Sequence, residues 1–531
     1  MDFDYDYIII GSGFGGSVSA LRLSQKGYKV LVVEKGKWYQ SKDFAKTNWN
    51  LRKWLWLPSL GFFGIMKLTV FRHVAILSGA GVGGGSLVYA NTLPVPKTAF
   101  YKTGSWASLK DWETELKPYY AIAHKMLGAA ENPELFDGDL ALQKLAKERN
   151  ISSQFEATKV AVYFGKPGVE VEDPYFGGKG PKRTGCTFCG GCMTGCRYDA
   201  KNTLDKNYLH LAQQEGAEIL AEQEVIDVKP IENKDGSDGY HVQLQSSTKF
   251  FKTKKSLTSN GVIFSGGVMG TIKLLLKLKK KGSLPLLSDK TGEEIRTNNE
   301  TLISVSSLEK NINVSKGVAI GSILHTDENT HLEICRYSEG SGFWKSLHLP
   351  MSQGSTIFKR IGNTLVNMFK SPVRYFRTYW LNSWSKRTVI LLFMQSVDST
   401  INFKRGWLGN MVSKVGNGKP PSPDIPESAQ LTKDYAKIIN GNATAFSLET
   451  LAGIPSTAHI LGGAVMGEDS EKGVIDMNNN VFGYKNMMVI DGSMISANPG
   501  VNPSLSITAI AEHAMDQVPE KSKIQADFEK E

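Results

Sequence analysis

The sequence predicts an α/β protein that combines a doubly wound, Rossmann-type domain with a second domain. Residues 1–34 hold a strand, a glycine loop, a helix, a second strand and a terminal acid in that order, which is the unit of a dinucleotide site. A later strand, 261–265, also runs into glycines at a helix start. At 531 residues the chain is too long for one small core, so a second domain is expected.

The opening unit assigns each loop residue a role in binding a dinucleotide. Gly11 permits the tight turn, Gly13 lets the backbone approach a pyrophosphate, and Gly16 lets the following helix pack closely on the strand. The helix N-terminus offers N–H groups to the phosphates. Glu34 ends the second strand, where its carboxylate can accept hydrogen bonds from ribose hydroxyls. An ordinary glycine-rich turn is the alternative, and the complete unit favours the dinucleotide site.

Charge and hydropathy limit the partners and the cellular location to be expected. The net charge of +10 is compatible with nucleic acid, an anionic membrane surface or neither. No block of like charge resembles a nucleic-acid tail and no recognition motif is present, so we expect no nucleic-acid partner. No apolar export signal precedes the first strand, and no apolar stretch is long enough for a confident transmembrane helix. A cytoplasmic location is therefore expected.

Two stretches after the opening unit are unusual in composition. Residues 49–74 are rich in tryptophan and phenylalanine but interrupted by Pro58 and Gly61, so they can fill a core or lie against lipid. Residues 78–91 contain too many glycines to pack a core. They suit a backbone laid against a large planar or phosphate-bearing ligand.

The cysteines are clustered. Cys186, Cys189, Cys192 and Cys196 have the spacing of a bacterial ferredoxin run, although arginine follows where those proteins have proline. In a reducing compartment such clustering favours a metal site over disulfides. The spacing predicts an iron–sulfur cluster; a structural zinc ion, or reduced cysteines that only pack, remain alternatives.

Together these motifs resemble the glucose–methanol–choline (GMC) oxidoreductases, which are flavoproteins with FAD. The resemblance covers nearly the whole chain in colinear order. Within the family the chain looks most like the cholesterol-oxidase-like and long-chain-alcohol-oxidase branches. In these branches a histidine precedes Leu-Gly-Gly and an asparagine lies in Gly-Val-Asn-Pro. The segments that carry it are 11–16 with Glu34, 83–86, 265–271, 459–463, 491–493 and 500–503.

The resemblance implies a discontinuous FAD-binding domain and a substrate domain built on an antiparallel sheet. The FAD-binding domain is expected at 1–48, 75–100, 200–300 and 455–520, and the substrate domain at 101–199 and 301–454, with 186–196 as a cysteine-rich loop. Residues 49–74 are expected to be a membrane-contact or lid segment, and 521–531 a disordered tail.

The same resemblance implies which residues bind FAD. Asp491 is expected to act on the pyrophosphate region through neighbouring backbone and water, because a carboxylate facing phosphate directly would be repelled. The expected cofactor-binding residues are Gly11, Gly13, Phe14, Gly15, Gly16, Glu34, Gly83, Gly84, Gly85, Ser86, Tyr89, Asn91, Val225, Gly266, Gly267, Asp491, Gly492, Asn502 and Pro503.

His459 and Asn502 are the candidate catalytic residues. Alcohol oxidation requires removal of the hydroxyl proton while hydride leaves the carbinol carbon, and imidazole is suited to that proton transfer near neutral pH. Asn502 can hydrogen-bond the substrate oxygen or the flavin edge. The sequence does not decide which of the two takes the proton. His325 and His331 have no ligand-like spacing and are expected to be structural.

The predicted function is FAD-dependent oxidation of the CH–OH group of a lipophilic alcohol, a sterol or long-chain alcohol, with oxygen or a redox carrier as electron acceptor. A sugar or polyol dehydrogenase that passes electrons through an iron–sulfur cluster is an alternative. A non-catalytic redox sensor or electron carrier is another, but a carrier needs no proton acceptor such as His459 at the flavin. Cholesterol oxidases carry a glutamate in the strand that here reads 385–389, where no carboxylate is found, so steroid isomerisation is not expected.

Residues 340–397 predict contact with a membrane surface. The segment contains eight lysines and arginines interleaved with aromatic residues, and no acid. Aromatic rings at headgroup level and cations near anionic lipid are what a membrane interface favours. The protein is therefore expected to be peripheral on an anionic inner membrane face. The alternative is that the aromatic side chains fill the substrate domain while the charges face water.

Overall fold

The computed structural model describes residues 2–352, 354, 356–416 and 420–522. Of the predicted tail, 521–531, residues 523–531 lie outside the described part of the chain.

Within those residues the elements are short and numerous. The strands are β1 (Tyr5–Ile10), β2 (Val30–Val33), β3 (Trp56–Leu57), β4 (Phe62–Phe63), β5 (Met66–Val70), β6 (Ala75–Gly79), β7 (Ala130–Glu131), β8 (Phe155–Ala157), β9 (Lys159–Val160), β10 (Glu170–Val171), β11 (Arg183–Thr184), β12 (Glu218–Leu220), β13 (Gln223–Pro230), β14 (Tyr240–Ser246), β15 (Lys254–Phe264), β16 (Ile295–Arg296), β17 (Thr301–Ser307), β18 (Ile320–His325), β19 (Thr330–Cys335), β20 (His348–Pro350), β21 (Thr388–Gln395), β22 (Thr400–Arg405), β23 (Met411–Val415), β24 (Gly441–Phe446), β25 (Ser456–Thr457) and β26 (Met487–Val489). The α-helices are α1 (Phe14–Gln25), α2 (Leu51–Trp54), α3 (Thr98–Tyr101), α4 (Trp112–Met126), α5 (Asp137–Glu148), α6 (Tyr208–Gln214), α7 (Gly267–Lys281), α8 (Ile357–Lys370), α9 (Pro372–Tyr379), α10 (Trp384–Arg387), α11 (Ser428–Ile438) and α12 (Ser504–Asp516).

The first large sheet has the order β12-β2-β1-β15-β14-β13, and β26 also pairs with β15. The pairs of β1, β2, β12 and β26 are parallel, whereas β13 and β14 form an antiparallel edge beside β15. Its central strands are continuous apolar runs because both faces are covered. Helix α1 begins at Phe14, within the glycine loop, and packs against α6 and α12.

The second large sheet has the order β20-β24-β17-β21-β19-β18-β8, and every neighbouring pair is antiparallel. Alternate residues of its strands face a core covered by α5 and α11, and the intervening residues face a cavity. The predicted fold class, a doubly wound domain with a substrate domain on an antiparallel sheet, is confirmed. The exact domain boundaries stay a prediction.

The aromatic and basic segment 340–397 contains a helical hairpin, α8–α9, which the sequence did not indicate. Arg360 anchors α8 by donating to the backbone carbonyl of Glu449 at 3.2 Å and by pairing with Asp424. The aromatic residues of the segment 49–74 differ in exposure: Trp54 and Trp56 are buried, whereas Trp49 is exposed. No helix among the described residues combines the length and apolar character needed to cross a bilayer.

Candidate active site

A cavity of about 300 Å³ lies between the glycine loops of the first sheet and the inner face of the second. The loop side is lined by backbone of the segments around Gly13, Gly84 and Gly266. The sheet side is mostly apolar, with Leu302 and Leu392 among its residues. His459 and Asn502 both reach this cavity, so the structure brings the two candidate catalytic residues together.

The glycines of the opening loop have the roles the sequence predicted for packing. Gly11 has φ +107°, a conformation that glycine adopts without strain. A Cβ on Gly16 would lie 2.1 Å from the Gly11 carbonyl oxygen, so only glycine lets α1 approach so closely. A Cβ on Gly13 or Gly267 would instead project into the cavity, since Gly13 has only one atom near that position, at 4.0 Å, and Gly267 has none within 4 Å. These residues form a backbone cradle that fits a dinucleotide.

The predicted cofactor-binding residues fall into two groups. On the cavity wall lie Gly13, Phe14, Gly15, Gly84, Gly85, Tyr89, Gly266, Gly267, Asp491, Gly492, Asn502 and Pro503. Off the wall lie Gly11, Gly16, Glu34, Gly83, Ser86, Asn91 and Val225.

The residues off the wall shape the loops. The Glu34 carboxylate accepts from Ser12 N–H at 3.2 Å and from Gly36 N–H at 2.8 Å, so it holds the first glycine loop. Ser86 Oγ donates to the Gly83 carbonyl at 2.7 Å. Asn91 is buried at φ +73°.

Val225 lies in β13, and the N–H of Gln223, the first residue of that strand, donates to the Glu34 carbonyl at 3.0 Å. The strand that carries Val225 is therefore tied to the acid that ends the opening unit.

Asp491 orders the backbone at the far end of the cradle. Its carboxylate accepts from Ser493 N–H at 2.7 Å and from Thr271 Oγ1 at 2.5 Å. Burial raises the pKa of Asp491, while these hydrogen bonds oppose that rise. The side chain thus joins the first turns of α7 to the turn after Asp491.

His459 is oriented by a buried carboxylate that the sequence analysis missed. Glu300 Oε1 lies 2.5 Å from His459 Nδ1, and the Glu300 side chain is fully buried. Glu300 also accepts from Thr457 Oγ1 at 3.1 Å and from Ala458 N–H at 3.0 Å. Burial alone lowers the pKa of His459, but the charge and hydrogen bond of Glu300 outweigh burial and raise it.

Asn502 connects His459 to a second missed carboxylate. Its Nδ2 lies 3.4 Å from His459 Nε2 and 3.3 Å from Glu333 Oε2. Glu333 is fully buried on β19, next to β21 in the sheet. Residues 385–389 contain no carboxylate, and the acid at this site comes from β19; the expectation about steroid isomerisation stays a prediction. No local motif marks Glu300 or Glu333, because each becomes part of the site only through sheet pairing.

The cysteine loop lies beside the cavity. Cys186 and Cys192 are buried, Cys189 and Cys196 are half-buried, and all four thiols are free. They surround a small space of about 20 Å³. The buried Lys201 ammonium donates to the carbonyls of Leu87, Tyr89 and Cys192 at 2.9–3.0 Å.

The predicted iron–sulfur cluster finds no support in this arrangement. Across the described residues, no group of three or more cysteine, histidine or acidic side chains is placed to hold a metal ion. Burial raises the pKa of Cys186 and Cys189, and raises that of Cys192 to about 11 although Lys201 opposes it.

Comparison with known proteins adds independent information. Two family models described as GMC oxidoreductase match residues 5–278 and 419–511. A "Cholesterol oxidase" of Acinetobacter baumannii is 44% identical over 535 residues, 99% of this chain and 96% of that protein. A "Cholesterol oxidase" of Mycobacterium tuberculosis is also 44% identical, covering 98% and 92%. A long-chain-alcohol oxidase of Arabidopsis thaliana is 23% identical, covering 95% and 66%.

One similar solved structure is that of pyridoxine 4-oxidase from Mesorbium loti, with a TM-score of 0.62. The two share 12% identity, and the similarity covers 96% of this chain and 98% of that one. At this identity the likeness shows the fold alone.

Proposed function

Because the chain belongs to the GMC oxidoreductase family, we propose that it is an FAD-dependent enzyme that oxidises the secondary alcohol of a sterol. The observation that carries this proposal is the contact of His459 with Glu300 and Asn502 at one end of an apolar cavity. FAD, when bound in the glycine cradle, supplies the acceptor for the substrate hydride. The broader class, an oxidoreductase acting on the CH–OH group of a lipophilic alcohol, follows from the same relatives.

The tautomer of His459 makes it the proton acceptor. Glu300 accepts at Nδ1, so Nδ1 carries the hydrogen, and the Asn502 amide donates toward Nε2. Nε2 therefore holds the lone pair, which the Asn502 amide meets at 3.4 Å, and a substrate hydroxyl that takes the place of this contact can give its proton to Nε2. The imidazolium that forms is stabilised by the adjacent Glu300 carboxylate. Asn502 has no basic group, so its role is to position the substrate oxygen through its amide.

The cavity beyond this polar end favours a lipophilic substrate. Ile320, Leu302, Leu392 and Phe446 project from the second sheet toward it. A sugar or polyol would leave several hydroxyls without partners against such a surface, which is unfavourable. This argues against a polyol as the substrate.

Anaerobic flavin bleaching tests the substrate class. Purified holoenzyme would be mixed with cholesterol, with 1-hexadecanol and with sorbitol, each in the same detergent. We expect the fastest bleaching with cholesterol and none with sorbitol. Bleaching by sorbitol alone would refute the proposal.

We also propose that Glu333 serves as a base for double-bond isomerisation once a sterol has been oxidised. Its support is a buried carboxylate that contacts Asn502 and whose second oxygen, Oε1, has no hydrogen-bond partner in the described chain. Such a carboxylate can remove a proton from the carbon next to the new ketone and return it along the conjugated system. Replacing Glu333 by glutamine should then release the unconjugated ketone, detected by its lack of absorbance near the enone band. Conjugated product from this variant at the wild-type rate would disprove the role.

Finally, we propose that the α8–α9 hairpin docks on an anionic membrane. Phe358 and Phe369 of α8 are 87% and 81% exposed, and Trp380 after α9 is 71% exposed. The exposed cations Lys359, Lys370 and Arg377 accompany them. Near an anionic surface each cation contributes about 1 kcal/mol, and the aromatic rings suit the headgroup level.

Charge reversal of Lys359, Lys370 and Arg377 to glutamate tests this docking. Arg374 is left unchanged because it donates to the Asn442 side chain and the Gly441 carbonyl, both at 2.7 Å, and therefore supports the fold. The wild type should sediment with phosphatidylglycerol vesicles at low salt and the variant should not, while both should oxidise a short soluble alcohol equally. A wild type that stays in the supernatant would contradict docking.

A further inference from the structure

His348 is a buried histidine that takes no part in the oxidation step derived above. It lies on the edge strand β20, opposite Phe446, and its ring reaches the same cavity as His459. The residue is only 8% exposed, and its Nδ1 is buried without a hydrogen-bond partner among the described residues. A buried polar atom without a partner is unfavourable, so such atoms generally meet a ligand or an ordered water.

Strand register places His348 and Glu333, which contacts the catalytic Asn502, at the two ends of one row across the second sheet. His348 pairs with Phe446, and Leu302 pairs with Leu392, which pairs with Glu333. Phe446 follows Ala445, the partner of Ile303, so it lies beside Leu302. Residues in one such row share a face of the sheet.

The row runs from an acid beside the catalytic asparagine, across apolar side chains, to an imidazole. Four strand spacings separate Glu333 from His348, which corresponds to roughly 19 Å. An extended sterol is of comparable length. The cavity roof is therefore polar at both ends and apolar between them.

The surroundings of His348 define the kind of group it can bind. The Trp384 and Phe446 rings lie 6.3 and 6.4 Å from its own ring, centroid to centroid. Burial lowers the pKa of His348 to about 4, so the ring is neutral at pH 7. A neutral imidazole offers one donor and one acceptor. That combination matches a hydroxyl or a ketone better than a carboxylate.

We propose that His348 is a specificity-determining residue that binds a second neutral oxygen, at the end of the substrate remote from the alcohol oxidised at His459. The preferred substrate class is then a sterol with a hydroxyl or ketone near the end of its side chain. This inference rests on the proposed function, because it places the oxidised alcohol between His459 and Asn502. An entirely apolar cavity would not favour a sterol that carries this second oxygen, whereas His348 does.

The test compares cholesterol with 26-hydroxycholesterol, which differ by one hydroxyl at the end of the side chain. For the wild-type holoenzyme, kcat/KM for formation of the ring ketone should be about tenfold higher with the hydroxylated sterol, the gain expected from one buried neutral hydrogen bond. His348→Phe should reduce that ratio to about one. His348→Gln, which retains a donor and an acceptor, should restore part of the preference.

Tyr379→Phe is the matched control. Tyr379 donates to the backbone carbonyl of His348 at 3.1 Å, so its removal perturbs the same strand without changing the imidazole. The preference should persist in this variant. Equal wild-type efficiency with both sterols, or a preference that survives His348→Phe, would overturn the inference alone. If the enzyme oxidised neither of the two sterols, the proposed function and this inference would both be overturned.

Discussion

Replacing Glu300 by glutamine removes the buried carboxylate that orients His459. Glutamine keeps the size of the side chain, but its amide can donate a hydrogen to His459 Nδ1, which would invert the tautomer and put the hydrogen on Nε2. The lost hydrogen bond involves a charged partner 2.5 Å away in a fully buried position. Such bonds contribute about 1.5–3 kcal/mol, so the rate of flavin reduction should fall about 10- to 100-fold.

The pH profile gives a second readout. His459 must be neutral to take a proton, so the rate of flavin reduction rises with pH through its pKa. Burial lowers that pKa, but Glu300, with a smaller contribution from Glu333, outweighs burial and raises it. Removing the Glu300 charge should therefore move the inflection to lower pH, while the rate above the inflection stays reduced because the tautomer is wrong.

Anaerobic stopped-flow measurement of flavin reduction is the assay, with Glu449→Gln as the control. Glu449 is also buried, and its Oε1 accepts from Ser456 N–H at 3.0 Å, in the same segment as His459. Burial raises the pKa of Glu449 to about 8, so glutamine mimics its protonated form near neutral pH. The control should reduce flavin at the wild-type rate. Wild-type rate and an unmoved inflection in Glu300→Gln would refute the dyad.

Other substitutions test the rest of the site. His459→Asn should keep flavin bound and slow its reduction by ~100-fold or more, and Asn502→Leu should do the same through lost positioning, as stopped-flow traces with saturating sterol would show; unchanged rates in both would exclude these roles. Gly267→Val should yield a folded but colourless protein, because its side chain would occupy the cradle and its backbone has φ +66°; full flavin content after denaturation would contradict the assigned cradle. Lys201→Met should lower the melting temperature, because three backbone carbonyls lose their donor; an unaltered melting temperature would show that Lys201 does not stabilise the fold.

The first half of the fold could be predicted from the sequence because the signals for it are local. The turn at Gly11, the close approach at Gly16 and the apolar strands on either side are each imposed by backbone geometry within a few residues. The helical hairpin α8–α9 was not readable in the same way. Its apolar positions lie largely on an exposed face, so they do not report packing against a core, and only Arg360 and Thr364 of α8 are buried.

The catalytic site shows the same division between local and long-range information. His459 and Asn502 stand in motifs of glycines and a proline, whereas Glu300 directly precedes β17, Glu333 lies within β19, and neither stands in a recognisable motif. The cysteine spacing shows the limit of a local signal, since a ligand-like spacing in sequence did not bring three or more ligands together in a metal-binding arrangement among the described residues. A backbone cradle can therefore be predicted from glycines, but the carboxylates that tune a base, and an imidazole such as His348 that selects a substrate, are defined only once strand register brings them to one cavity.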